Sequence, residues 1–128
     1  MTALSDHLRA GAFIVSEAPG SYSRATVTIL GGSGGAGALL AGTVLGKLTS
    51  GGKYVASPAT GSDGSQVGFA ILFDDVDATD ADVEAVVIAR DAEVRASDLL
   101  YHSTVDDADK KATKRTELAA TPSFIISR

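Results

Sequence analysis

The chain has 128 residues, enough for one domain with a buried core. It contains no cysteine, which excludes disulfides and thiolate metal sites, and its net charge of −5 with dispersed basic residues argues against nucleic acid as a partner. Hydrophobic residues make up 45% and aromatics only 5%, with 14 glycines, so a turn-rich β protein with small side chains is expected rather than a disordered chain.

No apolar run reaches the length of a membrane span, and the first ten residues carry an early acid and no apolar signal core. Synthesis and use in cytoplasm are therefore expected, with no membrane partner. Residues 1–23 read as an extended N-terminal arm, with one apolar patch at Phe13, Ile14 and Val15 followed by turn residues around Pro19 and Gly20. Residues 1–12 have few anchors, so mobility in the free protein is expected. The alternative for Phe13, Ile14 and Val15 is an ordinary edge strand of the domain. The domain proper is placed at residues 24–128.

Residues 24–30 alternate as a strand, and residues 31–37 form a glycine-rich loop that reads as flexible. Residues 43–48 and 53–56 form a hairpin turned by residues 49–52. Residues 67–73 are apolar throughout, with Val67, Phe69, Ile71 and Phe73 on one side and Gly68, Ala70 and Leu72 on the other. That pattern predicts a central strand covered on both faces, with a close neighbour over the small one. Residues 74–82 read as an acidic turn and residues 83–90 as a strand, extended past a bulge by residues 91–95. One helix is predicted over residues 106–120. A capping box of Thr104 with Asp107, or Ser103 with Asp106, starts it, and Pro122 ends it. Acids lead and bases follow, with Asp106–Lys110 and Asp107–Lys111 as pairs. Its buried stripe is expected at Ala108, Ala112 and Ala119, with Leu118. A strand at residues 124–126 then closes the sheet.

Gly32-Ser33-Gly34-Gly35-Ala36-Gly37 matches the dinucleotide fingerprint after a strand, but Gly42, Thr43 and Val44 follow too soon for a βαβ unit. Gly42 to Lys47 is one residue short of a phosphate loop, and Leu48 stands where Ser or Thr is needed. Neither frame of the acidic run, from Asp75 or from Asp77, puts Gly and Glu where a calcium loop requires them. His7 and His102 are isolated, and no acid–base pair stands out. No cofactor, metal or catalytic residue is assigned, and no enzyme is expected.

In order and spacing, residues 41–47, 52–54, 63–65, 67–77 and 85–95, with the helix leading to Ile125 and Ile126, are similar to the head decoration proteins of tailed bacteriophages, the lambda type. The resemblance covers residues 13–128. The loop at residues 31–37 is richer in glycine than the family pattern. The resemblance implies a mainly β fold, small and β-tulip-like, with one short C-terminal helix and an N-terminal arm. It implies a non-enzymatic homotrimer on the outer surface of the virion, bound to the major capsid protein at threefold and quasi-threefold sites of the expanded capsid and stabilising it. Capsid binding through the arm is then expected at Phe13, Ile14, Val15, Ser16 and Tyr22. From the residues alone, a small-ligand or carbohydrate-binding β module and an enzyme with an inter-subunit site stay open.

Overall fold

The computed structural model describes residues 11–18, 20, 22–32, 34–120 and 123–128. In chain order the strands are β1 (Ile14–Glu17), β2 (Arg24–Ile29), β3 (Gly37–Leu39), β4 (Val44–Lys47), β5 (Tyr54–Ala56), β6 (Ala70–Leu72), β7 (Val76–Ala78), β8 (Val83–Ile88) and β9 (Ala92–Val94). The helix α1 (Ala108–Ala119) and strand β10 (Ile125–Ser127) complete the chain. The fold is mainly β with one short helix near the C-terminus, as the sequence predicts.

Five strands close a small barrel in the order β2-β5-β4-β6-β8, with β8 pairing back to β2 from Arg24↔Ile88 to Ile29↔Val83. The expected hairpin is β4–β5, in register Leu45↔Ala56 to Lys47↔Tyr54. Strand period two sends alternate side chains to opposite faces. Ile29, Leu45, Tyr54, Ala70, Leu72, Ala85 and Val87 form one buried cluster. Val44, Ile71 and Ile88 join a second cluster, with Phe13, Val94, Leu99, Leu118 and Ile125. That second cluster brings the barrel together with a three-stranded sheet, β1-β9-β10, and with α1.

The central strand is covered on both faces, but it is shorter than residues 67–73. Phe69 packs with Leu72 rather than with Ile71, so the alternation starts only at Ala70. Upstream, backbone groups bond elsewhere: Glu117 Oε1 accepts from Gly68 N at 2.7 Å, and Ser123 Oγ donates to Phe69 O at 2.8 Å. The close neighbour is α1 at Gly68, where a Cβ would stand 3.3 Å from Lys114 O.

Three expectations are corrected. Residues 92–94 do not extend β8. Asp91 takes φ 51°, a left-handed value Asp tolerates, and turns the chain out of the barrel into the second sheet. The acidic run is not simply a turn, because β7 lies inside it and pairs with β3 in register Ala38↔Asp77. The described residues of the glycine loop are tied down: Gly31 N donates to Asp82 Oδ1 at 2.9 Å and Gly32 N to Ala78 O at 3.1 Å. A Cβ at Gly31 would fall 1.9 Å from Ala81 O.

The helix differs in detail. Its N-cap is Asp107, whose carboxylate accepts from Lys110 N at 2.8 Å, so neither predicted capping box forms. Thr104 Oγ1 instead accepts from Ala59 N at 2.9 Å. Lys110 pairs with Asp106 at 3.0 Å as expected, while Lys111 lies over the Tyr101 ring rather than on Asp107. The buried positions are Lys114 and Leu118, whereas Ala108 and Ala112 are exposed. Pro122 lies outside the described residues.

Candidate functional surface

Among the described residues no group of three or more His, Asp or Glu side chains is placed to hold a metal ion. Among them, too, no helix is long and apolar enough to cross a membrane.

The structure separates the five residues expected at the capsid contact. Phe13 is fully buried in the second cluster, so its ring presents no surface. The physical reason is its anchorage. Gly11 N donates to Phe73 O at 2.9 Å, Arg95 N donates to Phe13 O at 2.8 Å, and the Arg95 guanidinium donates to Ala12 O. Ile14 is half-buried against the same cluster. Val15 and Ser16 are exposed on β1, which bulges between Ile14 and Ser16 as it pairs antiparallel with β9. Residues 14–17 are thus an edge strand in this structure, the alternative reading of that stretch. Tyr22 is exposed outside β1, with the Arg90 guanidinium over its ring at 5.4 Å. Residues 1–10 of the expected arm lie outside the described residues.

Two exposed apolar surfaces emerge from the fold. The first is the outer face of the β1-β9-β10 sheet. Ser16, Glu93 and Ile126 are successive cross-strand neighbours there, and Phe124 is exposed beside them. Arg128 binds Glu93 with two bonds, Nε to Oε1 at 2.8 Å and a terminal nitrogen to Oε2 at 3.1 Å. The Arg128 hydrogen bond holds the Glu93 carboxyl below its ordinary range, against the opposing effect of burial. Ile126 was legible as the outward partner of Ile125, but Phe124 was not, because its φ of 50° takes it out of strand period.

The second is a hollow of about 390 Å³ between β3 and the segment after the 3-10 turn at Ala96–Asp98. Leu40 and Leu100 stand at it with Ala38, Tyr101 and His102. Its backbone is fixed. Thr43 Oγ1 donates to Leu40 O at 2.6 Å, and Leu100 is bonded on both sides, to Gly42 O and from Val44 N. Acids flank it on the β7 side. Asp75 Oδ1 accepts from Ala41 N at 2.7 Å, and Asp77 accepts from Thr79 N and Oγ1, which lowers its pKa. His102 Nδ1 accepts from Thr104 N at 3.1 Å. Two leucines in tandem at positions 39 and 40 hid this surface from sequence reasoning, since an apolar run does not say which residue faces out.

A family model, bacteriophage lambda head decoration protein D, matches residues 3–123. Comparison with individually curated proteins gives no match. The matched residues span the barrel, the three-stranded sheet except its last strand, the hollow and the helix. This chain belongs to the family of the bacteriophage lambda head decoration protein D, whose role is structural and whose place is the phage capsid.

Proposed function

We propose that the protein is a homotrimer that binds the major capsid protein on the outside of the expanded capsid, at threefold and quasi-threefold sites, and stabilises the shell. The single observation that carries this reading is the family match across residues 3–123. The exposed apolar pair Phe124 and Ile126 on the outer sheet face supports association between copies, because apolar residues grouped on a surface mark contacts. Residues 1–23 act as the attachment segment on a body formed by residues 24–128. Phe13 and β1 root that segment on the body. Val15, Ser16 and Tyr22 are its exposed contact residues, while Phe13 and Ile14 act by fixing its position. Three copies on one trimer add their contacts, so that weak single attachments become tight.

The test is co-sedimentation with empty expanded capsids of the phage that encodes the chain. Full-length protein is expected to pellet with capsids up to a fixed stoichiometry and to raise their disruption temperature. Protein that stays in the supernatant at micromolar concentration refutes the reading. Removing residues 1–10 is expected to leave a folded protein that no longer pellets. Unchanged binding by that variant would show that the attachment lies elsewhere.

A further inference from the structure

We propose that Asp63-Gly64 is a modification site, at which aspartate isomerises to isoaspartate through a succinimide, and that Ser65 and Gln66 hold this reaction back in the folded protein. The chemistry needs no co-reactant but water. Gly64 N attacks the side-chain carboxyl carbon of Asp63. A C–N bond forms, a C–O bond breaks, and the amide proton and the carboxyl hydroxyl leave as water. Water then opens the ring at either carbonyl and gives back aspartate or isoaspartate, so the net change is an isomerisation. A following residue without a side chain leaves the nitrogen free to close the ring. Asp63 is the one Asp followed by Gly, in a chain that contains no Asn. It is exposed, so water reaches it.

The fold dictates this labile pair. Gly64 takes φ 96°, and a Cβ there would stand 2.3 Å from Thr49 Oγ1, so the position admits no side chain. Asp63 closes the turn: its Oδ1 accepts from Ser65 Oγ at 2.6 Å and from Ser65 N at 3.1 Å, and its backbone O accepts from Thr49 N at 2.8 Å. The same contacts oppose both halves of the reaction. Attack needs the Gly64 nitrogen without its proton, and that proton is donated to Gln66 Oε1 at 2.9 Å. An acceptor in that place favours the protonated nitrogen. Water leaves only from a protonated carboxyl, and the Ser65 hydroxyl, followed by the Ser65 N–H, holds the Asp63 carboxyl below its usual range, in the ionised form. Ser65 is fixed in turn. It is 2% exposed, its O accepts from Ser57 Oγ at 2.7 Å, and Ser57 Oγ accepts from Lys114 Nζ. Isoaspartate routes the backbone through the side chain, adds one methylene before Gly64 and turns Asp63 O into part of a free carboxylate. The Thr49 bond then loses its acceptor geometry. The turn has little slack for the longer path, since Ser65 O lies within 2.0 Å of where a Cβ on Gly46 would fall.

The test stores the full-length protein at neutral pH in heavy-oxygen water. Mass spectrometry of the tryptic peptide of residues 54–90 reads label uptake and isoaspartate at residue 63. Uptake in the folded wild type is expected to be at least about tenfold slower than in the same chain unfolded in guanidinium chloride, the combined weight of the Ser65 and Gln66 bonds. Gln66→Ala is expected to raise the folded rate about fivefold, the weight of one hydrogen bond, and Ser65→Ala to raise it similarly. Isoaspartate-bearing chains are expected to melt below unmodified ones. The comparison of folded with unfolded wild type needs no variant to fold. Equal rates there overturn the inference, as does a wild-type rate in a folded Gln66→Ala variant. No uptake at Asp63 in the unfolded chain shows that the pair is not labile and overturns the site itself.

Discussion

At the scale of single residues, Lys114 shows how a charge is accommodated inside. It is 2% exposed, yet its ammonium donates to Ser57 Oγ at 2.9 Å and to Gln66 O, and stands 3.4 Å from Glu117 Oε1. Burial of an ammonium is tolerated only with such partners. Lys114→Ala removes both the charge and the packed stem, and leaves Gln66 O without its donor. A loss of about 3 kcal/mol is expected. Lys114→Met keeps the volume and should cost clearly less; urea midpoints for the two variants check the order. Phe13→Ala opens a cavity in the second cluster and should cost about 3–5 kcal/mol by the same measurement. A loss under about 1 kcal/mol would mean that Phe13 is not part of the core in solution. Gly46 is required for space rather than for conformation, since a Cβ there would fall 2.0 Å from Ser65 O.

At the scale of elements, α1 is a clasp more than a core helix. Its Lys114 and Glu117 hold residues 57–68, and Leu118 alone enters the apolar cluster. Its start depends on Asp107, so Asp107→Ala is expected to cost about 1 kcal/mol, whereas Thr104→Ala should leave helix content unchanged. Circular dichroism melts of the two variants separate these outcomes. Equal losses would restore the capping box with Thr104. Strand β1 sets the outcome of truncation. A variant lacking residues 1–21 loses Phe13 and the partner of β9, and should melt well below one lacking only residues 1–10.

At the scale of the molecule, charge sets the pH range of stability. Asp63, Asp77, Asp82, Glu93 and Asp106 all have lowered pKa values. Hydrogen bonds from Ser65, Thr79, Lys53, Arg128 and Lys110, respectively, are the leading causes. A carboxyl whose folded pKa lies below its unfolded value stabilises the fold above that unfolded value and loses its effect as pH falls through the folded one. Stability should therefore hold down to about pH 5 and decline below about pH 4. On the alkaline side burial pushes the Tyr54 phenol up, so its contribution is complete below pH 10 and is lost as pH rises further. Urea midpoints across pH 2–11 should show this plateau; a maximum near the isoelectric point of about 4.8 would contradict it. The exposed ion pairs are individually weak, so moderate salt should shift the midpoint little.

The sequence by itself determined the class of the fold, the β4–β5 hairpin, the two-faced β6 and the position of α1, because alternation, turn residues and charge order are local signals. It also carried the family, through order and spacing. Only the tertiary structure decided that Asp91 turns the chain from barrel to sheet, that β7 pairs with β3 inside an acidic run, and that Lys114 rather than the alanines faces inward. It also decided that Phe13 belongs to the core and that Leu40 and Leu100 face out. Each of these depends on a partner distant in sequence: Phe13 on Phe73 and Arg95, Lys114 on Ser57 and Gln66, Leu100 on Gly42. Burial is a property of the pair in contact, and a pattern of neighbours along the chain carries no record of what lies across the gap.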